Sequence, residues 1–301
     1  MENSSFLFAQ ILTTVIYNST TSRKTIKKEL PDIPVNPARS YYNNGIILSG
    51  GFLKGNPSKS VYFLCFTNLS YIGDLLTSRV YHSQLLVNGK LYVLGGCVAN
   101  NLSVAYFECF DILSKKSTYL PSIPYTTKLQ CNCCLNDIIY VFGGDHDEAI
   151  KTIAAYTIET QVWRLIPVNY SRIKGGICVP IDSRNIFVFG GWQKTSIYNH
   201  QRFIFDTKNE ILFDVRFPIE AEVYSSYWLE GSRLSLSDEL GRRRIIYIDE
   251  LRWETLCEEG KSLWKERKGI IYMHKYCKQK KIEHVLTILP FSLFKEIALF
   301  L

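Results

Sequence analysis

Metal or nucleophilic chemistry in this 301-residue chain would have to come from its nine cysteines and five histidines, and their spacing argues against both. Cys131, Cys133 and Cys134 stand close enough to share an ion. A zinc site, however, takes one ligand pair two to four residues apart and a second pair elsewhere, and no matching pair follows. Thiols in an apolar run pack as small hydrophobes. Asp145, His146, Asp147 and Glu148 offer oxygen ligands but lack the alternating spacing and central glycine of a calcium loop, so a solvated loop is expected. The chain has neither a Gly-x-Ser-x-Gly elbow nor a phosphate loop. No metal, cofactor or catalytic residue is expected. What does recur is positive charge: Arg39, Arg79, Lys128, Arg172 with Lys174, and Arg267 with Lys268, while Glu220 and Glu222 stand at the head of one segment. Guanidinium groups held in a concave site take carboxylates by bidentate pairing.

The elements that would position these cations are short strands. Residues 79–124 read as four of them, because apolar, β-branched and aromatic runs of about five residues alternate with Asn, Gly, Ser and Lys. The second run ends at Gly95-Gly96. The same arrangement returns at Gly50-Gly51, Gly143-Gly144 and Gly190-Gly191, with 45, 48 and 47 residues between successive first glycines. Two glycines closing an apolar run imply a backbone at positive φ or a close approach to a neighbour. A period of this size with four strands per unit points to a propeller. An aromatic closes each third strand (Phe66, Phe110, Tyr156, Phe205) and another marks each fourth (Tyr71, Tyr119, Trp163, Phe213).

This pattern resembles the kelch repeat, whose marks are the diglycine, a following Tyr or Tyr-Asp, and a Trp before a Pro-containing linker. Phe110-Asp111 and Phe205-Asp206 echo the Tyr-Asp, and Trp163 and Trp253 fill the Trp place. The resemblance to kelch-type propellers implies an all-β, six-bladed kelch β-propeller in one domain covering residues 1–301. Four blades fall at about 39–76, 79–121, 127–167 and 172–218. A fifth, without its diglycine, falls at about 223–257. Residues 264–290 supply two strands of a sixth blade and residues 11–34 the other two, so the ring closes and leaves no exposed sheet edges. No BTB-like domain is expected ahead of the repeats.

In such a ring the fourth-to-first connections share one face with the loops that follow the diglycines, which gathers Arg39, Arg79, Lys128, Arg172, Lys174 and Arg267 about the channel mouth. Tyr41, Tyr81, His82 and Trp192 would add stacking or hydrogen bonding there. Either the arginines bond backbone carbonyls of a neighbouring blade, or the basic mouth holds an acidic segment of a partner. The implied function is a non-catalytic interaction module or adaptor with a protein partner. The alternative is a propeller enzyme acting on a small molecule or carbohydrate, with His82, Glu222 and Arg79 converging at the mouth. Arg242, Arg243, Arg244 and the lysines at 275–281 lack the alternating aromatics of a single-strand groove, so no nucleic-acid partner is expected. No run of 18 apolar residues exists, and the apolar stretch at 6–17 lacks a basic flank, so neither a membrane span nor a secretion leader is expected. The odd number of cysteines, without framework spacing, suits a reducing, cytoplasmic setting and a monomer.

Overall fold

The computed structural model describes residues 34–43, 45–65, 68–146, 152–168, 170, 173–194, 197–198 and 202–215, with the backbone of three further strands between 224 and 247. Arg172, Arg267, Trp253 and the terminal segments expected to close a sixth blade lie outside the described residues.

Four antiparallel meanders of four strands follow one another along the chain. The first has β1 (Ala38–Tyr42) and β2 (Gly45–Ser49), then a small hairpin of β3 (Phe52–Leu53) and β4 (Asn56–Pro57), then β5 (Ser60–Cys65) and β6 (Asn68–Asp74). The second is β7 (Ser83–Val87), β8 (Lys90–Leu94), β9 (Phe107–Asp111) and β10 (Lys116–Leu120). The third is β11 (Cys131–Leu135), β12 (Ile138–Phe142), β13 (Thr152–Thr157) and β14 (Val162–Pro167). The fourth has β15 (Ile177–Pro180) and β16 (Asn185–Phe189), a hairpin of β17 (Trp192–Lys194) and β18 (Ile197–Tyr198), then β19 (Arg202–Asp206) and β20 (Ile211–Asp214). A three-stranded sheet follows where the fifth unit is expected: β21 (Tyr224–Glu230), β22 (Arg233–Asp238) and β23 (Arg243–Tyr247). The complete four-stranded blades among the described residues number four.

Each blade is covered on both faces, which explains the sequence pattern. The second strands β2 and β16 are buried at every residue, and β8 and β12 at every residue but the first, so they read as continuous apolar runs instead of alternating ones. The fourth strands β10 and β14 are largely exposed and β6 is half-buried with exposed Asn68 and Tyr71, as an outer rim allows. The core is a set of seams. Ile47, Val61 and Leu75 of the first blade meet Leu91, Val93 and Phe110 of the second. Leu94, Phe107 and Cys109 meet Ile139, Val141 and Tyr156 of the third. Cys131, Cys133, Tyr140 and Phe142 meet Cys178, Val188, Phe203 and Phe205 of the fourth. The first strands β1, β7, β11 and β15 pack side by side, so they form the inner wall.

The aromatics expected on the third and fourth strands lie on them wherever they are described, and the ladder shows how they line up. Phe110, Tyr156 and Phe205 do occupy one rung, opposite Leu91, Ile139 and Ile186. In the first blade that rung, opposite Ile46, belongs to Leu64, and Phe66 lies outside the described residues. The fourth-strand aromatics do not share a rung. Tyr71 and Tyr119 stand opposite Tyr62 and Glu108, Trp163 stands two rungs away opposite Tyr156, and Phe213, opposite Ile204, falls between those rungs and so on the other face. Two of them nevertheless do one job. The Trp163 indole Nε1 donates to Pro121 O at 2.7 Å, and the Tyr119 hydroxyl meets Thr77 Oγ1 at 2.9 Å, each tying an outer strand to the linker before its own blade.

Candidate functional site: the loop face around the inner strands

The diglycines make the corners of this face. All eight glycines have positive φ, from +57° at Gly50 to +110° at Gly144. Their second N–H groups stitch neighbouring blades together: Gly51 N donates to Arg79 O at 3.0 Å, Gly96 N to Thr127 O at 2.8 Å, and Gly144 N to Ile173 O at 2.7 Å. A Cβ on Gly143 would lie 2.2 Å from Ile173 O, so both the dihedral and the close approach demand glycine.

Just inside these corners a second set of residues turns into each first strand. Asn36, Tyr81, Leu129 and Gly175 occupy equivalent places, all left-handed, with φ of 52°, 55°, 58° and 65°. Leu129 N donates to Tyr81 O at 2.9 Å and Gly175 N to Leu129 O at 2.7 Å, a backbone chain running from blade to blade beside the inner strands. The residue before each corner pairs with the one after the same blade's diglycine: Val35 with Phe52, Val80 with Cys97, Lys174 with Trp192, and Lys128 O accepts from Asp145 N. Fourth-to-first connections and post-diglycine loops therefore do share one face.

The structure separates the expected ring of cations. Arg39 lies within β1 opposite Leu48, on the rung that Gln84 occupies opposite Val93 in the second blade, so it is not the counterpart of Arg79. Arg79 is 0% exposed and ion-paired with Glu108. Its Nη1 donates to Gly95 O and Tyr106 O, both at 3.0 Å, and Glu108 Oε2 accepts Leu76 N at 2.6 Å. Burial draws the guanidinium below its usual pKa while Glu108 opposes that shift. For Arg79 the carbonyl-bonding arrangement is the observed one, though the carbonyls belong to its own blade.

Lys128 and Lys174 are true equivalents, each next to a left-handed corner. Each reaches the post-diglycine loop of the preceding blade: Lys174 Nζ pairs with Asp145 Oδ1 at 2.5 Å, and Lys128 Nζ donates to Asn101 Oδ1 at 3.1 Å. Tyr81, 39% exposed, meets Phe52 of the preceding blade edge-on, with ring centroids 5.6 Å apart. Trp192 is half-buried over Gly175, where a Cβ would stand 3.3 Å from its ring. Tyr41 is half-buried in β1 against the cluster of Ile46, Leu48 and Leu64.

His82 belongs to the wall, not the surface. It is 8% exposed, with Nε2 3.0 Å from Ser49 Oγ of the preceding blade, and Gln130 at the equivalent place donates to Leu94 O at 2.7 Å. Burial, reinforced by the charge of Arg79, pushes the imidazole down to about 3, so it is neutral at physiological pH. Of the three residues expected to converge in an enzyme-like mouth, His82 and Arg79 are buried, and Glu222 lies outside the described residues. Three of the described thiols are likewise packing groups. Burial pushes Cys109 and Cys134 up to about 11, and raises Cys178, which faces Cys131 and Cys133 across the seam. Among the described residues no group of three or more His, Cys, Asp or Glu is arranged to hold a metal ion.

One set of residues without any charge was not singled out by type. The second blade's post-diglycine loop, residues 97–106, crowns the face with Asn100, Asn101 and an exposed Leu102. Its only sequence signal is two adjacent asparagines, the residues that best tolerate left-handed backbone after glycine.

Repeated four-stranded meanders, seamed face to face and cornered by diglycines, define an all-β, propeller-like repeat protein. The chain carries a kelch motif: the family model described as Kelch motif matches residues 78–124, the second blade with its flanks. It is similar to kelch-repeat proteins. Kelch repeat and BTB domain-containing protein 2 of cowpox virus (strain Brighton Red) is 26% identical over 231 residues, 65% of this chain and 41% of that protein. Its namesake in horsepox virus is 26% identical over 133 residues, 43% of this chain and 24% of the relative. Alpha-scruin of Limulus polyphemus is 27% identical over 116 residues, 36% of this chain and 13% of that protein. The chain thus spans less than half the length of each of these relatives. No described helix is long and apolar enough to cross a membrane.

Proposed function

We propose that this chain is a non-catalytic protein-interaction module that holds a partner segment on the loop face around the inner strands. Kelch repeats generally mediate protein–protein interactions, and the fold suits that work. The observation that carries the reading is the convergence of the corner residues Tyr81 and Lys128, with Lys174 and Trp192, on one face built by rigid inter-blade backbone bonds. Loops fixed by a scaffold are where binding residues concentrate. Arg79 is support for the face, not a contact. The chain closes as a six-bladed ring, with residues 11–34 and 264–290 completing the last blade. Burial of Ile46, Leu48 and Leu64 on the first blade's face away from the second supports a further layer there. The free thiols among the described residues suit a reducing compartment, so we place the protein in the cytoplasm, as a monomer.

The test is capture of partners by the intact chain and by Tyr81→Ala/Lys128→Ala, with circular dichroism to confirm folding. Loss of the same specific partners from the double variant supports the face. Equal capture by both moves the interaction elsewhere on the molecule.

A further inference from the structure

We propose that Asn88 is a site of spontaneous covalent modification, in which the backbone nitrogen of Gly89 attacks the Asn88 side-chain amide and turns Asn-Gly into a mixture of Asp-Gly and isoaspartyl-Gly. The site lies in the turn between β7 and β8, at the opposite end of β8 from Gly95-Gly96, so it stands apart from the loop face and does not rest on it. The reaction consumes water and nothing else. Gly89 N gives up its proton and bonds to Asn88 Cγ, the Cγ–Nδ2 bond breaks, and Nδ2 leaves as ammonia with that proton. Water then opens the cyclic imide. Opening at Cγ restores the ordinary peptide as aspartate, and opening at the Asn88 backbone carbonyl leaves the main chain running through the side chain as isoaspartate. Nothing is oxidised or reduced.

Three features govern the rate: the freedom of the amide, the bulk on the residue that follows, and the room for the turn to bring one onto the other. Asn88 is exposed, and among the described residues its side chain has no hydrogen-bond partner. Gly89 carries no Cβ to shield the attacking nitrogen, and nothing lies within 4 Å of where one would stand. Its N–H enters no backbone hydrogen bond among the described residues. The tip is tied through Ile112 N, which donates to Gly89 O at 3.1 Å, and through the Val87–Lys90 pair, neither of which uses that nitrogen. Attack requires the turn to leave its left-handed conformation, with φ of 48° at Asn88 and 74° at Gly89. An exposed tip with nothing packed on it opens locally while the strands stay paired.

The chain supplies its own controls. Asn136 holds the equivalent place in the third blade, left-handed at 52°, with Ile158 N donating to Asp137 O at 3.0 Å as Ile112 N does to Gly89 O. Its Nδ2, however, donates to Ser183 O of the fourth blade at 2.8 Å, and the residue that follows is Asp137. The other Asn-Gly step in the sequence, Asn44-Gly45, has its glycine buried in β2, where a Cβ would stand 2.4 Å from Leu64 O. The two products differ in consequence. Asp-Gly suits the same two-residue turn, so aspartate keeps the hairpin. Isoaspartate adds a methylene to the main chain of the turn and strains the register of Ser83–Val87 against Lys90–Leu94.

The experiment ages the full folded chain, the same chain unfolded in urea, and folded Gly89→Ala at physiological temperature, and follows each asparagine by peptide mapping with mass spectrometry. Electron-transfer fragmentation separates aspartate from isoaspartate. In the folded chain Asn88 should lose its amide at least about tenfold faster than Asn136, the factor that one net hydrogen bond supplies. Both products should appear, because isoaspartate is the mark of the imide and direct hydrolysis gives aspartate alone. Gly89→Ala should slow the loss severalfold, with circular dichroism to confirm folding. Aspartate without isoaspartate at position 88 overturns the proposal, as do equal rates at Asn88 and Asn136. Loss of the amide in urea but not in the folded chain also overturns it, by showing that the native turn holds Asn88 away from Gly89 N. The loop-face reading survives every one of these results.

Discussion

Arg79 and Glu108 form a fully buried ion pair in the second blade. The rungs equivalent to Glu108 carry Tyr62, Ala154 and Phe203 in the other three complete blades described, so among those blades the pair serves the second alone. A buried pair adds little net stability, because desolvation offsets attraction, but removing one member leaves an uncompensated charge. Glu108→Ala should therefore lower unfolding free energy by about 3–5 kcal/mol, whereas Arg79→Met/Glu108→Leu together should cost far less. Urea titration of the single and double variants checks this, and similar losses in both would mean that packing dominates. His82 gives a pH signature. Its folded pKa, about 3, lies below the ordinary 6.5, so between those values the unfolded chain binds more protons than the folded one. The stability it contributes is complete above about pH 6.5 and lost as pH falls towards 3, at no more than about 1.4 kcal/mol per pH unit. His82→Gln, which copies Gln130 of the next blade, should flatten that part of the urea midpoint's pH dependence. An unchanged slope would place the acid sensitivity in other groups, such as Asp206. Burial raises that carboxyl's pKa, but the Arg184 fork and the N–H groups of Asn209 and Lys208 outweigh the burial and leave it below its usual value.

The diglycine corner is the element on which the blades depend, and its two demands can be separated by substitution. Gly143→Ala meets both a positive φ of 65° and Ile173 O at 2.2 Å, while Gly89→Ala meets a positive φ of 74° with nothing within 4 Å. The second should cost about 1–2 kcal/mol for the left-handed backbone alone, and the first clearly more, because the seam to the fourth blade must open. Equal midpoints in urea would mean that the seam yields freely. These corners were legible in the sequence because only glycine fits them and the blade period repeats them. The same holds for the four meanders and for the first three strands of the fifth unit. The cations were not legible in that way. Counting from one Arg or Lys to the next takes no account of ladder register, which puts Arg39 inside β1 and Arg79 ahead of β7. The burial of Arg79 depends on Glu108, 29 residues away across the blade, and no local pattern announces such a partner. The 97–106 loop escaped notice for the opposite reason: it carries no charge or reactive group, and its rigidity comes from bonds to residues outside it.

Across the whole molecule, the seams imply that every blade face needs a neighbour. The second and third blades have one on each side, and the first blade's far face is buried at Ile46, Leu48 and Leu64, to 2–3% exposure. If the two ends of the chain share the blade that lies there, residues 11 and 290 are close in space, and the ring has no privileged starting point. A circular permutant tests this directly. Residue 290 is joined to residue 11 by a Gly/Ser linker, and new ends are opened between Glu159 and Thr160 in the exposed turn linking β13 and β14. Exposed turns tolerate new termini. With adjacent ends, a linker of about 4 residues and one of about 20 should give cooperative unfolding at nearly the same urea midpoint, since extra loop length costs only about 0.6 kcal/mol per doubling. With distant ends, the short linker must strain or break the last blade, and stability should rise steeply with linker length before levelling off. That rise would replace the closed six-bladed ring with an open stack of blades, and the loop face would then be an arc instead of a mouth.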